Sequence, residues 1–180
     1  MSSIYLPAED SFLLLKVLEK EISKLIKKNQ HPQFLEIGSG SGIILETVQK
    51  LGVQREHIYG ADINQEAVKH CQSLGFNCIY SNLFENVEGK FDIIVFNPPY
   101  LPKDSREPVD SRLATTGGFS GSEIINEFLK QAENYLKENG RIFLLTSSLT
   151  KKINWKNYHK KLLGNEKLFF EELKVWELKI

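Results

Sequence analysis

The sequence has few of the features that mark secreted, membrane and metal-binding proteins. Its only cysteines are Cys71 and Cys78, which excludes a disulfide framework, and no histidine pair stands near them to complete a zinc site. No apolar run approaches the roughly 18 residues that a membrane span needs. The N-terminus has no basic stretch leading into an apolar signal core. These absences predict a soluble, cytoplasmic protein without a metal site.

An excess of charge of one sign is also missing, because 23 basic residues balance 23 acidic residues. A neutral chain has no long-range field that attracts a polyanion, which disfavours nucleic acid as a partner. A local group of lysines in the C-terminal part is the exception, and a solvated helix face would explain it. The group comprises Lys151, Lys152, Lys156, Lys160 and Lys161.

The 180 residues are expected to form a single domain, since no repeat and no linker rich in proline, glycine or serine divides them. We divide this domain into an N-terminal helix in residues 1–30, a core in 31–147, and a C-terminal helix with closing strands in 148–180. The core carries the motifs described below.

Short apolar runs alternate with helical patterns along the chain. Strands are predicted at 34–37, 57–61, 77–80, 91–96 and 141–146, and helices at 8–28, 43–50, 65–73, 122–137 and 153–163. This alternation predicts a doubly wound α/β fold with a parallel sheet covered on both faces. For residues 167–180 we expect two short antiparallel strands that reverse near 172–174.

A glycine loop, Gly38 to Gly42, follows the first predicted strand and precedes a helix. Alternate glycines allow a tight turn and close approach of a ligand, and the helix start offers free N–H groups. A dinucleotide fingerprint wants a third small residue where Ile43 stands, and the chain has no Tyr-x-x-x-Lys pair. The loop therefore predicts a nucleotide-like ligand and disfavours an NAD-dependent oxidoreductase.

Polar residues also follow the second and third predicted strands. Asp62 closes the second strand about twenty residues after the glycines, where an acid accepts the hydroxyls of a ribose. Asn82 and Leu83 follow the third strand, and we expect them beside an adenine, with the Asn82 side chain on its edge. The alternatives are that Asp62 caps the next helix and that Asn82 only forms a turn.

The segment Asn97-Pro98-Pro99-Tyr100, called the clamp below, follows the fourth predicted strand. Prolines lack an N–H group and stiffen the residue before them, so the segment cannot continue the sheet. We expect the Asn97 side-chain oxygen and the Pro98 carbonyl to bind the two hydrogens of a planar nitrogen and turn its lone pair toward the reacting group of the bound ligand. Tyr100 would stack on this planar group. The alternative is a simple end to the strand with a packing tyrosine.

Four segments together resemble the HemK-like glutamine methyltransferases: 7–15, 35–42, 62–64 and 95–100. The run Pro7-Ala8-Glu9-Asp10-Ser11 is similar to the eukaryotic and archaeal branch of that family, and the resemblance covers about residues 5–129. It implies a Rossmann-like class I methyltransferase fold with a mostly parallel seven-stranded sheet and a final antiparallel strand. It also implies S-adenosyl-L-methionine as the cofactor.

The resemblance further implies a reaction and its partners. Members of the family methylate the side-chain N5 of the glutamine in the Gly-Gly-Gln loop of class I translation termination factors, as heterodimers with a small zinc-binding activator subunit. Cofactor contacts are implied for Ser11, Glu36, Gly38, Gly40, Asp62, Asn82, Leu83 and Asn97. Substrate contacts are implied for Asn97, Pro98, Pro99 and Tyr100, with the catalytic roles on Asn97, Pro98 and Tyr100.

The sequence departs from the family pattern at three places. Asn82 stands where the family usually has aspartate, so cofactor binding is expected to be weaker. Thr115 and Thr116 precede the glycines of the 117–121 loop where human-type members have Trp-Ala, and the tail after about residue 146 is short.

Two other functions remain open at this point. The clamp suits any planar amino nitrogen, so an adenine-N6 methyltransferase acting on DNA or RNA is the first alternative, although base flipping and phosphate neutralisation would then be required. A non-catalytic scaffold that binds the cofactor is the second. For the activator, we expect contact at an edge strand of the sheet, where backbone groups are unpaired.

Overall fold

Strands and helices alternate along the chain in the computed structural model, which describes residues 4–29, 31–102, 115–155 and 157–180. The helices are α1 (Glu9–Ile26), α2 (Ile43–Lys50), α3 (Gln65–Ser73) and α4 (Glu123–Ala132). The strands are β1 (Phe34–Ile37), β2 (Ile58–Asp62), β3 (Asn77–Tyr80), β4 (Phe91–Phe96), β5 (Leu136–Ser147), β6 (His159–Lys167) and β7 (Glu172–Lys179).

The seven strands form one sheet in the order β3-β2-β1-β4-β5-β7-β6. The first five strands in this order pair in parallel, whereas β7 is antiparallel to both of its neighbours. The predicted doubly wound, mostly parallel sheet with a final antiparallel strand is therefore confirmed. Its order brings the carboxyl ends of β3, β2, β1 and β4 side by side, and open α/β sheets bind ligands at such ends.

Helices cover both faces of the sheet because each presents an apolar stripe. In α1 the fully buried Leu14, Leu18 and Ile22 recur at helical spacing, and they pack with α2 and α3 on one face. The buried side chains of α4, such as Phe128, join the core on the other face. Acidic residues in the first turn of α1 suit the positive end of the helix dipole.

No helix within the described ranges is long and apolar enough to cross a membrane.

The predicted bounds agree with the structure for β1, β3, β4, α2 and α3, and lie within two residues for α1 and β2. Toward the C-terminus they differ more. Helix α4 ends at Ala132 and a short 3-10 turn follows at Glu133–Tyr135, so β5 begins at Leu136, five residues before its predicted start.

The helix predicted at 153–163 is wrong. Residues 159–167 form β6, an edge strand that is exposed along most of its length and pairs with β7. The chain reverses at 168–171, before the predicted position, and β7 is one continuous strand. Pairing with a partner strand overrides the local helical pattern, and lysines on an edge strand discourage further pairing.

The lysine group thus does not form a helix face. Lys160 and Lys161 lie on β6, while Lys151 and Lys152 lie in the preceding loop and Lys156 lies outside the described residues. The Lys160 ammonium stands 4.8 Å from the ring centre of Trp155 and 5.0 Å from that of Trp176.

Candidate active site

A cavity of about 520 Å³ opens at the carboxyl ends of the four neighbouring parallel strands. Its wall contains Asn82 after β3, Asp62 at the end of β2, the glycine loop after β1, and Asn97 after β4. The start of α1 and one side of α4 complete the lining. This volume is within the range of about 300–1,000 Å³ that is typical of small-molecule sites.

The glycine loop adopts backbone angles that other residues rarely tolerate. Gly38, Gly40 and Gly42 have φ values of +71°, +46° and +77°. A Cβ atom on Gly42 would lie 3.2 Å from the Cys71 sulfur, which is a tight contact. Gly38 and Gly40, for which cofactor contacts are expected, line the cavity.

Asp62 ties the glycine loop to the second strand. Its Oδ2 accepts a hydrogen bond from the Gly40 amide at 2.8 Å, and its Oδ1 accepts one from the Asn64 amide at 2.8 Å. Burial raises the pKa of this carboxyl, although these backbone N–H groups oppose the shift. The cap of α3 is Asn64, whose Oδ1 accepts from the Glu66 amide, so the alternative role of Asp62 as that cap is wrong.

Glu36 is a buried acid with a free acceptor. Its side chain is 2% exposed, and Glu36 Oε2 has no hydrogen-bond partner among the described residues. Burial, together with Cys71 and Asp62 nearby, raises the pKa of this carboxyl well above its ordinary value of 4.5. The Ser39 hydroxyl in the same wall is also without a partner there. Buried polar atoms of this kind are normally satisfied, so they indicate a ligand that bears hydrogen-bond donors.

The third predicted contact region lies at the far side of the cavity from the clamp. Asn82 and Leu83 follow β3 and line the cavity, and Leu83 has a φ of +52°. Asn82 is exposed, so its amide is open to the cavity. The order Asn82, Asp62, Gly38, Asn97 across adjacent strands therefore fits an elongated ligand.

The clamp lies where β4 ends, and Asn97, Pro98 and Pro99 line the cavity. The Asn97 Oδ1 atom is buried and has no hydrogen-bond partner among the described residues. Tyr100 is not part of the lining; its hydroxyl donates to Asp10 Oδ2 at 3.5 Å. Burial and the neighbouring Asp10 raise the pKa of Tyr100.

Asp10 and Tyr5 are site residues that the sequence did not single out. The Tyr5 hydroxyl donates to both Asp10 oxygens at 3.0 Å, and Asn97 Nδ2 donates to Asp10 Oδ2 at 3.1 Å. Ser11 is predicted to contact the cofactor; it is buried, lines the cavity, and donates to Asp10 from its hydroxyl at 3.2 Å. Because Asp10 and Asn97 are 87 residues apart, no local pattern links them.

The 117–121 loop packs against the backbone of the clamp. A Cβ atom on Gly117 would meet the Pro99 carbonyl, and one on Gly121 would meet the Tyr100 carbonyl. The Tyr100 carbonyl also accepts a hydrogen bond from the Thr150 hydroxyl at 3.0 Å. At the start of α4, backbone donation from Ser120 lowers the pKa of Glu123, whose side chain reaches the cavity wall.

Comparison with known proteins identifies the family. The model of the methyltransferase small domain matches residues 9–174. A relative from Methanocaldococcus jannaschii, named as a candidate protein N5-glutamine methyltransferase, is 40% identical, and the match covers 97% of this chain and 92% of the relative. The chain belongs to the protein N5-glutamine methyltransferases.

Further comparisons agree with this assignment. Methyltransferase HEMK2 from Mus musculus is 32% identical to this N5-glutamine methyltransferase over 79% of the chain and 71% of the relative. The solved Mtq2–Trm112 complex from E. cuniculi has the same fold, with a TM-score of 0.73, 24% identity and 99% of each chain covered.

The protein is therefore an S-adenosylmethionine-dependent N-methyltransferase. The residues present fit that cofactor. A cavity that spans the ends of four strands, a glycine loop at a helix start and an unpartnered acceptor on Glu36 match a ligand with hydroxyl and amino donors.

Proposed function

We propose that this methyltransferase acts on the side-chain N5 of the glutamine in the Gly-Gly-Gln loop of a class I translation termination factor. The observation that carries the proposal is Asn97 Oδ1, a buried acceptor without a partner among the described residues, in the wall of the cofactor cavity. Two prolines follow it and restrict the backbone of this segment. The expected compartment is the cytoplasm, where termination factors act.

The chemistry requires orientation more than activation. An amide nitrogen is a poor nucleophile because its lone pair is delocalised into the carbonyl group. Asn97 Oδ1 and the Pro98 carbonyl would accept its two hydrogens and turn the lone pair toward the cofactor, which when bound supplies an electrophilic methyl group. Holding reactants in the right geometry can contribute about 7–11 kcal/mol to barrier lowering. No histidine base is needed.

Tyr100 is proposed to stack on the amide plane at the rim of the cavity. Its hydroxyl and Asn97 Nδ2 donate to the same oxygen of Asp10, so the edge of the ring lies close to the clamp asparagine. Pro99 would form the remaining wall for the substrate side chain.

Cofactor contacts are proposed for the residues along the cavity. Glu36 and Asp62 would accept from hydroxyl and amino groups of the ligand, and Ser11, Gly38 and Gly40 would approach it closely. At the other end, Asn82 would accept from the adenine amino group, and Leu83 would pack on the ring. An amide in place of a carboxylate makes the adenine contact weaker, because hydrogen bonds to charged acceptors are stronger.

Relatives support the substrate. The E. cuniculi complex is described as responsible for methylation of the eRF1 translation termination factor. A relative from Schizosaccharomyces pombe is named as the catalytic subunit of an eRF1 methyltransferase.

The test uses cofactor labelled in the methyl group. The chain, alone and with a small activator subunit, is incubated with a termination factor that carries Gln or Ala in its Gly-Gly-Gln loop. Label is expected only in the Gln form, at the side-chain nitrogen by mass spectrometry. Equal labelling of both forms would contradict the substrate, and no transfer in any combination would favour a scaffold.

A small zinc-binding activator is proposed to bind the β3 edge of the sheet. The 81–90 connection to β4 contains no helix, and a cleft of about 570 Å³ lies beside β3. Ile79 and Tyr80 on this strand are 40% and 50% exposed. The opposite edge, β6, carries lysines and invites pairing less.

Substitutions on β3 and on β6 test which edge of the sheet binds the activator. Ile79→Lys is expected to abolish co-purification with the activator, because a charge would replace an apolar contact in the interface. Leu162→Lys on β6 is the matched control, since Leu162 is 44% exposed, and it should bind normally. Loss of binding in the Leu162 variant alone would move the interface to β6.

Adenine in DNA or RNA is the second candidate, favoured by the lysines near the clamp. Lys151 and Lys152 are exposed, and the Lys151 amide donates to the Ser120 carbonyl in the loop behind Tyr100. A protein that neutralises phosphates loses affinity steeply as salt rises. Steep salt dependence of oligonucleotide binding, with methyl transfer to adenine, would establish this candidate.

A further inference from the structure

The Asp10 carboxylate contacts both polar groups of the clamp. Asp10 lies in the first turn of α1 and is 5% exposed. Its Oδ2 accepts from Asn97 Nδ2 at 3.1 Å and from the Tyr100 hydroxyl at 3.5 Å. We propose that Asp10 is a positioning residue for methyl transfer, which acts through Asn97 by keeping the Asn97 oxygen turned toward the substrate.

The need for such a residue follows from the shape of an amide. The oxygen and the NH₂ group of asparagine are nearly equal in size, so either can face the cavity. If the NH₂ group faced a substrate nitrogen that also carries hydrogens, two donors would meet and no hydrogen bond would form. A carboxylate only accepts, so it binds Nδ2 and turns Oδ1 the other way.

The unpartnered atom agrees with this orientation. Asn97 Oδ1 is buried and has no hydrogen-bond partner within the described ranges, while Nδ2 is satisfied by Asp10. An unsatisfied buried acceptor destabilises the folded protein. The unpaired oxygen lies at the position where the substrate amide would supply the missing donor.

Other contacts hold the carboxylate itself in place. The Tyr5 hydroxyl bridges both Asp10 oxygens, and the Ser11 amide donates to Oδ1 at 2.6 Å. Asp10 therefore cannot rotate away from Asn97 without losing several hydrogen bonds. This inference rests on the proposed function in one respect: the nitrogen that receives the methyl group must bear hydrogens.

The first test is a double-mutant cycle on methyl transfer. Asp10→Asn keeps the shape but lets the new amide pair with either end of Asn97, so kcat is expected to fall about 10–100-fold, with KM for the cofactor within about threefold. In an Asn97→Ala background the same change should alter kcat less than about threefold, because coupled residues are not additive. Independent, multiplying effects would overturn the proposal.

Two more variants distinguish an effect of Asp10 on the Asn97 amide from a general effect on folding. Asp10→Glu retains a carboxylate and is expected to recover part of the activity lost in Asp10→Asn. Glu9→Gln changes the same charge one residue earlier on the exposed side of α1 and should leave kcat unchanged. A Glu variant no better than the Asn variant would argue against an acceptor role.

A spectroscopic measurement works without turnover. The side-chain NH₂ resonances of Asn97, assigned with Asn97→Ala, are expected to exchange slowly with water in the wild type and fast in Asp10→Asn. Unchanged exchange would overturn the role of Asp10 even in an active enzyme. Failure to label a glutamine would overturn only the proposed substrate, since these resonances do not depend on it.

Discussion

At the residue scale, the active site is marked by buried acceptors that the protein leaves unsatisfied. Glu36 Oε2, Ser39 Oγ and Asn97 Oδ1 lack partners among the described residues, and all three residues line one cavity. Such atoms destabilise the ligand-free protein. We propose that they bind the hydrogen-bond donors of the ligands, so that binding and stability are opposed at these positions.

The effect of Glu36 on stability can be measured from the pH dependence of the free energy of unfolding. Because its pKa is raised in the folded state, its contribution to stability is complete below its unfolded value of about 4.5 and is lost as pH rises through the folded value. Glu36→Gln cannot ionise. Without cofactor, the variant should therefore gain stability relative to the wild type as pH rises above about 4.5.

Urea unfolding across pH checks this, with Glu85→Gln at an exposed site as control. Parallel stability curves for Glu36→Gln and the wild type would contradict the expectation. The same variant should bind S-adenosylmethionine about 10–100-fold more weakly by calorimetry, because hydrogen bonds to a charged group contribute about 1.5–3 kcal/mol.

At the element scale, the 117–121 loop positions the clamp through two glycines. Gly121 has a φ of +81°, and a Cβ there would meet the Tyr100 carbonyl. Gly121→Ala is expected to lower kcat about 100-fold, since a 1 Å displacement of a reacting group can have that effect. Kinetic assay with the termination factor measures it.

Gly89→Ala is a matched control for the backbone. Gly89 has a φ of +88° but nothing lies within 4 Å of an added Cβ. Both variants should lose about 1–2 kcal/mol of unfolding free energy from the left-handed conformation. Gly121→Ala should lose more, because its Cβ meets the Tyr100 carbonyl, and only this variant should lose activity. Equal kcat in the two variants would show that the loop does not support the clamp.

Elements with an apolar pattern of their own could be predicted from the sequence, whereas an element that depends on pairing with a distant strand could not. The strands 34–37 and 91–96 and the helices 43–50 and 65–73 carry their own apolar patterns, so their predicted bounds agree with the structure. Strand β6 has no such pattern. Its exposed, lysine-rich sequence gains its conformation from pairing with β7, and a single-sequence pattern does not contain that partner.

The candidate active site also contains residues that could be predicted from local patterns and residues that could not. The glycine loop, Asp62, Asn82 and the clamp follow strands that end at one edge, so their convergence on one cavity could be predicted. The role of Asp10 could not, because its bonds join α1 to Asn97 and Tyr100, which lie far along the chain.

At the scale of the whole molecule, cofactor binding should stabilise the fold. A ligand at 100 times its Kd adds about 2.7 kcal/mol, which corresponds to a rise in Tm of about 5–10 °C for a chain of this size. Thermal unfolding with S-adenosylmethionine measures the rise. NAD serves as control, because Ile43 occupies the position of the third small residue in a dinucleotide fingerprint. An equal shift with NAD would contradict the assignment of the cavity.

The hydrogen bond between Asp10 and Asn97 has a practical consequence for handling the protein. The proposed cofactor contacts at Glu36, Gly38, Gly40 and Asp62 lie in the segment 36–62, whereas the proposed orientation of the Asn97 amide depends on the first turn of α1. A bulky fusion or a proteolytic cut that displaces Tyr5 to Asp10 is therefore expected to leave a protein that still binds the cofactor but transfers methyl groups slowly. Purification tags therefore belong at the C-terminus, and a preparation that binds cofactor without activity should first be examined for an altered N-terminus.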